Sequence, residues 1–229
     1  IALKGVKLRK YGQQIIEAIT GKRIHGTGTV PGGMNKALTV TERDALLADI
    51  GNILQWSQDA LALNEQIHTA HPEHRDFGTL HSHYLSMTGS NGELEFYHGG
   101  LRARYAGGNP IFDQFDYCDY RQILQEEVRP WSYMKFRYLS ALGIEHGWYR
   151  VGPLARINNC DRISTPLAEA ARQRFKTFGQ GGLVHDTLAY HWARMIEALH
   201  CAESIHALLD DADITGTELM TEKGERQLE

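Results

Sequence analysis

Apolar residues recur at helical spacing through several stretches of this chain and at alternate positions through one. Leu3, Val6, Tyr11, Ile15, Ile16 and Ile19 predict an amphipathic helix over residues 3–20, ended by Gly21. Residues 21–39 carry Gly21, Gly26, Gly28, Pro31, Gly32 and Gly33, a loop suited to unusual backbone angles or close backbone approach. Thr41 with Asp44 resembles an N-terminal capping box. Beyond it, Leu46, Leu47, Ile50, Ile53, Leu54, Leu61 and Ile67 carry a helical stripe to about His71, and Pro72 stops it. At ~1.5 Å per residue that helix spans roughly 40 Å, a length typical of bundles.

Between residues 79 and 118 the period drops to two. Leu94, Phe96 and His98 alternate with Glu93, Glu95 and Tyr97; Leu101, Ala103 and Tyr105 alternate with Arg102, Arg104 and Ala106. Ser90-Asn91-Gly92, Gly99-Gly100 and Gly107-Gly108-Asn109-Pro110 punctuate these runs, which predicts a small antiparallel sheet. A short helix is expected over 119–128, and 129–162 reads as irregular and aromatic-rich. Thr165 before Pro166 starts a helix to about Phe178, broken by Gly179–Gly182. Val184, Leu188, Trp192, Met195, Ile196, Leu199, Ile205, Leu208 and Leu209 predict a last long helix. Residues 218–229 read as a strand or tail without its partner. The whole is a helix-rich α+β chain, long packed helices with a small antiparallel sheet.

Composition adds little to that picture. Hydrophobic residues are 42% and charged residues 23% of 229, a globular balance, and the net charge of -4 is spread along the chain. No basic footprint for nucleic acid is present, and no apolar run is long enough for a transmembrane helix. Ile1 is neither an initiator methionine nor part of a signal peptide, so either a processed mature chain or a piece of something longer is expected. Cys118, Cys160 and Cys201 form no CxxC pattern; an odd count without an export signal reads as thiols in a reducing, cytoplasmic compartment.

Local motifs leave the chemistry open. His68, His71 and His74 could share a helix-end surface, and His81-x-His83 would face one way on a strand, but a metal site needs three or four convergent ligands and neither group shows a further one nearby. They read as ordinary polar histidines, and His191, His200 and His206 as solvent-side or interface residues of the last helix. Glu126 and Glu127 are adjacent and would not face each other on a helix. Gly26-x-Gly28 lacks a preceding strand and is followed by Pro31, which argues against a nucleotide loop.

Longer strings carry more. Gly21-Lys22-Arg23-Ile24-His25 followed by Val30-Pro31-Gly32-Gly33 resembles a loop of nickel-iron hydrogenase large subunits, with Gly26 where that family usually has proline. Trp131-Ser132-Tyr133-Met134-Lys135-Phe136 resembles a string of the cytoplasmic, NAD-linked bidirectional type, with Arg137 in place of the usual proline. Tyr149-Arg150-Val151-Gly152-Pro153-Leu154-Ala155-Arg156-Ile157-Asn158 is the closest match, and Trp192–Glu197 with Glu203 fits the same subgroup.

The resemblance implies a hydrogenase large-subunit-like fold and places residues 1–229 in the middle of that subunit, with the small sheet inserted at about 79–118. The parent would oxidise H2 reversibly and reduce NAD through partners: an iron-sulfur small subunit, diaphorase subunits, and the N- and C-terminal parts of its own subunit. The family holds its nickel-iron centre on two CxxC motifs that this sequence does not contain, so the fragment is expected to be metal-free and inactive alone. Around the centre rather than on it, the resemblance offers Glu126, near an inner water and magnesium network, with Lys135, Arg156 and His25. The competing expectation for Glu126 and Lys135 is a plain salt bridge; for Arg156, any carboxylate or carbonyl that compensates burial. The competing reading of the whole is a non-catalytic, hydrogenase-like interaction or scaffold protein.

Overall fold

The computed structural model describes residues 2–179 and 181–221. In chain order its elements are α1 (Ala2–Thr20), β1 (Thr29–Val30), β2 (Gly33–Met34), α2 (Val40–Ala70), β3 (His83–Thr88), β4 (Gly100–Arg104), β5 (Pro110–Phe115), β6 (Leu124–Val128), β7 (Lys135–Leu139), α3 (Gly143–His146), β8 (Tyr149–Arg150), α4 (Pro153–Asn159), α5 (Pro166–Thr177) and α6 (Ala189–Asp210). They form two compact units, Ile1–Ala62 with Cys201–Glu229, and Leu63–His200. No described helix is long and apolar enough to cross a membrane.

The first unit is a helical cluster. The stripe of α2 buries Leu46, Ile50, Ile53, Ser57 and Leu61, at steps of four, three, four and four. Tyr11 of α1 and Ala202 and Leu209 of α6 pack into the same core. The Tyr11 hydroxyl donates to the Leu46 carbonyl at 3.1 Å, and burial pushes its pKa up to about 12, with Asp49 adding. The α1 terminus closes as expected, with the Gly21 N–H donating to the Glu17 carbonyl at 2.8 Å.

The cap of α2 lies two residues earlier than Thr41 and Asp44. Thr39 Oγ1 accepts from the Glu42 N–H at 3.2 Å, and Glu42 Oε2 accepts from the Thr39 N–H at 3.0 Å. This is a reciprocal box that the longer glutamate side chain can close. Asp44 instead pairs with Arg43.

The glycine-rich loop holds a tight hairpin: Val30 pairs with Gly33 across Pro31-Gly32, and Gly32 has φ +88, which an L side chain rarely adopts. A Cβ on Gly33 would stand 1.9 Å from the Leu219 carbonyl oxygen, so Gly33 is there to let residues 219–221 approach. Met34 N–H donates to Leu219 O and Thr221 N–H to Gly32 O, which gives the start of the polar tail a partner. The rest of that tail, 222–229, lies outside the described residues.

The second unit is built on a four-stranded sheet in the order β5-β4-β3-β8, antiparallel except for the β3–β8 pair. Leu85 and Ala103 bury on one face with Leu139. Ser86 and Arg102, paired across β3 and β4, are buried too. Both faces are therefore covered at Arg102, whereas the Arg104 side chain is 23% exposed.

Four local expectations are corrected in this unit. Residues 93–98 are not a strand: Glu95 Oε1 accepts from the N–H groups of Phe96, Tyr97 and His98 and curls the segment. Residues 119–128 are not a helix. A short 3-10 turn at Tyr117–Gln122 leads into β6, which pairs in register with β7, so that Glu126 opposes Arg137. The partner strand hid in the stretch read as irregular, which also contains α3, β8 and α4. The last helix starts at Ala189 rather than near Val184, because Val184 and His185 are held in extended chain by polar groups of the core.

Candidate functional site

The centre of the second unit is α4, a helix of seven residues in which all but Arg156 are buried. Gly152 precedes it at φ 80 and ψ -162, a region open to glycine alone, and Pro153 takes the first helical position. The side chains of α4 then reach out as fixed clamps. Asn158 holds Val184 from both sides: its Nδ2 donates to Val184 O at 2.9 Å, and its Oδ1 accepts from Val184 N at 3.1 Å. Asn159 Nδ2 donates to Ser86 Oγ at 3.0 Å and to Arg102 O at 3.1 Å. Arg156 forks onto Glu197 of α6, with Nε–Oε1 at 2.6 Å and Nη2–Oε2 at 2.8 Å, and stands over the Phe96 ring at 5.3 Å. The partly exposed cation thus meets a buried carboxylate and compensates its charge.

A second ionic group backs the helix. Arg102 bonds both oxygens of Asp113, at 2.8 and 2.7 Å, and reaches Asp161 at 2.7 Å and the Asn159 carbonyl at 2.9 Å. Arg104, two positions on and so on the same strand face, takes the other Asp161 oxygen at 2.7 Å. The Arg102 guanidinium holds the Asp113 carboxyl below the usual carboxylate range. Tyr84 donates to Val184 O at 3.0 Å and meets His185 Nδ1 at 2.6 Å; burial pushes the tyrosine pKa up and, with His81 second, the histidine pKa down.

Glu126 and Lys135 are brought together on the β6–β7 hairpin. Lys135 Nζ lies 2.9 Å from Glu126 Oε2, and Arg137 Nε lies 2.9 Å from Oε1. Lys135, then Arg137, hold the Glu126 carboxyl below its usual range. The lysine side chain is 60% exposed and the glutamate 34%, so the pair sits at the surface. Glu127 points to the other side of the strand and pairs with Arg129. Arg156 does not join this pair, being held by Glu197. His25 is exposed in the first unit, with φ 51.

The histidines divide. His68 is tucked against Trp192 and paired with Asp186 at 3.1 Å. His71 and His74 stack at 5.1 Å with Glu73 between them. His81 packs on the His185 ring, whereas His83 Nε2 meets the His146 carbonyl, so they form no pair. His200 is buried rather than solvent-side, its Nδ1 2.9 Å from Thr165 Oγ1.

Comparison with known proteins places this geometry. No family model matches the chain. The chain is 39% identical over 222 residues to the NAD-reducing hydrogenase HoxS subunit beta of Cupriavidus necator, an alignment covering 94% of this chain and 45% of that one. It is 37% identical over 224 residues to a vhu F420-non-reducing hydrogenase subunit of Methanococcus voltae, covering 97% and 52%. The crystal structure of an NAD+-reducing NiFe-hydrogenase in the H2-reduced state superposes with a TM-score of 0.93 at 52% identity, over 99% of this chain and 50% of that one. The chain matches the nickel-iron hydrogenase large-subunit family. It spans about half the length of the relatives it matches. The Ni-Fe-Se hydrogenase of Desulfomicrobium baculatum shares the fold, with a TM-score of 0.67 at 14% identity.

Within a hydrogenase family the first question is whether these residues fit a four-thiolate metal centre, and they do not. Cys160 is fully buried, donates to the Ile157 carbonyl, and has its thiol pushed up to about 11 by burial. Cys118 is exposed beside Asp116, and desolvation followed by that carboxylate raises its pKa. Cys201 is exposed on α6. Among the described residues no cysteine joins a group of three or more potential metal ligands. What the hydrogenase-like string around Val151–Asn158 builds is a clamp of buried hydrogen bonds. Sequence reasoning found that string by resemblance but missed the roles of Arg102, Asp113 and Asp161, and met Glu197 only as part of another family-like string. An arginine at alternate positions of an apolar strand was the available signal.

Proposed function

We propose that the chain is the scaffold portion of a nickel-iron hydrogenase large subunit whose whole enzyme oxidises H2 reversibly and reduces NAD through partner subunits. The observation that supports this best is the 52% identity to an NAD+-reducing NiFe-hydrogenase over 99% of this chain. On this reading α4 and its clamps hold the second unit rigid, and the nickel-iron centre belongs to parts of the subunit that supply thiolates. The partners are diaphorase subunits and an iron-sulfur small subunit, with the cytoplasm as the compartment. The centre supplies the H–H bond chemistry when present, and the residues of this chain contribute position.

The same reading carries Glu126 and Lys135 as members of an inner water and magnesium network, with Arg156 and His25 in support. Their 2.9 Å pairing is in its favour. Against it stand the occupied oxygens of Glu126, both already held by cations, which favour a surface ion pair.

The test compares the 229-residue chain with the full-length subunit produced beside its partner genes. The expected result is no iron and no H2-dependent NAD+ reduction in the chain alone, with both present in the full assembly. A full reading frame without a CxxC on either side would overturn the enzyme reading and favour the non-catalytic scaffold. A nickel-iron cluster bound stoichiometrically in the short chain would overturn the absence of a thiolate site.

A further inference from the structure

The turn that follows α2 gathers three metal-ligating side chains that the hydrogenase reading does not use. Pro72 opens a single 3-10 turn, Pro72–His74, with His71 as its N-cap. Because a 3-10 turn repeats every three residues, side chains at i and i+3 eclipse. His71 and His74 accordingly stack, with ring centroids 5.1 Å apart and planes 14° from parallel. Glu73 joins them: its Oε1 lies 2.9 Å from His71 Nδ1 and 3.8 Å from His74 Nε2. The three ligand atoms all lie within 4.8 Å of one another.

A tetrahedral metal ion bonded at ~2.0–2.2 Å to nitrogen and oxygen requires donors roughly 3.4 Å apart. The two distances to Glu73 bracket that value. All three side chains are exposed, so small rotamer changes suffice.

The surroundings suit a cation and its water. His71 and His74 stand at a cleft of about 290 Å³ whose other walls include His68, His191 and Trp192. Arg75 also lines the cleft, but its guanidinium is spent on Asp186 at 3.1 Å and the Phe178 carbonyl at 2.8 Å. Asp186 is shared with His68, so this part of the wall is neutralised locally. Trp192 is 2% exposed, and its indole N–H has no hydrogen-bond partner among the described residues.

We propose that His71, Glu73 and His74 bind one divalent late transition-metal ion of the zinc class, with its remaining position open to water. Two imidazoles and a carboxylate are a borderline-soft set that selects such ions over magnesium or calcium. Sequence spacing alone missed the third ligand because it sits between the histidines in His71-Pro72-Glu73-His74, where only the 3-10 turn brings it round.

The experiment titrates the untagged 229-residue protein with cobalt(II) chloride, followed by ligand-field absorption, and then displaces the cobalt with zinc chloride. One cobalt per chain, displaced by zinc, is expected. His71→Ala with His74→Ala should weaken binding at least about tenfold, and Glu73→Gln should weaken it less. His81→Ala and His206→Ala should leave it unchanged. His71→Asn with His74→Asn provides a polar second variant, and metal-free melting curves confirm that each variant is folded. Absence of saturable cobalt binding in the parent protein would overturn the site, as would binding that persists in the folded double variants.

Discussion

The α4 core and the β6–β7 hairpin both carry strings that resemble the hydrogenase family, and both carry arginine or lysine against glutamate. They differ in what surrounds the charges. Arg156 and Glu197 form a two-bond fork with the glutamate side chain 9% exposed. Lys135 and Arg137 share Glu126 with their own side chains 60% and 64% exposed. Toward its tip the hairpin also exposes Val128, Trp131, Tyr133 and Met134, whereas every residue of α4 except Arg156 is buried. The same pairing chemistry therefore carries different energetic weight. In the core a missing partner leaves a desolvated charge; on the hairpin water replaces it.

The largest expected effect follows from that difference. Arg156→Ala strands the Glu197 carboxylate in a site where water cannot compensate. Loss of one partner of a buried pair costs on the order of 3–5 kcal/mol, and the partial exposure of Arg156 puts the expectation near the lower end, about 3 kcal/mol. Urea denaturation of the purified chain measures it. A loss below about 1 kcal/mol would place the fork with exposed pairs and erase the contrast between the two regions.

Next comes the backbone that launches α4. Gly152→Ala places a Cβ 3.7 Å from the Tyr190 ring, an ordinary contact, so packing does not resist it. The φ of 80 with ψ of -162 does, at about 1–3 kcal/mol. A neutral result in thermal unfolding would mean that the α4 entry relaxes, and that the core is less rigid than its hydrogen bonds imply.

How much of this was legible in the sequence follows from the same contrast. Helical stripes gave α1 and α2 nearly to their ends, and start and stop signals alone gave α5, because periods are local and the stops are glycine or proline. The glycine-rich loop was legible as a place of close approach, but Leu219, the group that approaches Gly33, is far along the chain. β6 and β7 were misread because Glu126 and Glu127 suggest a solvated helix until Lys135–Leu139 is known to be the partner. Resemblance located α4 as a string. Its clamps were not legible, since Asn158 reaches Val184, Asn159 reaches Ser86, and Arg156 reaches Glu197, all at long sequence separation. Glu126 and Lys135 form the ion pair that was the competing expectation, from paired strands rather than from a helix.

Acid sharpens the comparison further. Asp113 has its pKa lowered, chiefly by its hydrogen bonds to Arg102. A carboxylate lowered in the folded state stabilises fully above its unfolded value and loses that contribution as pH falls through the lowered folded one. Asp113→Asn should therefore reduce stability at neutral pH and flatten the acid limb of the stability curve below about pH 4. Arg102 keeps Asp161 and the Asn159 carbonyl in that variant, so the effect should be smaller than that of Arg156→Ala. An unchanged acid limb would mean that Asp113 titrates alike in the folded and unfolded chain.

The smallest effect is expected on the hairpin. Glu126→Gln removes a carboxylate whose two cations remain hydrated at the surface. Exposed pairs contribute about 0.2–1 kcal/mol, and sharing one carboxylate between Lys135 and Arg137 does not change the solvent that screens them. Most of that small loss should vanish when the measurement is repeated near 1 M salt, where the screening length is ~3 Å. The loss at Arg156→Ala should persist there, because the fork it removes closes on a carboxylate that is 9% exposed in the intact pair and is screened little by salt. The salt dependence of the two variants, more than either magnitude, thus separates a hydrated pair from a clamp. A salt-insensitive loss at Glu126 would put the hairpin pair in a dry environment and remove the physical distinction between these two regions.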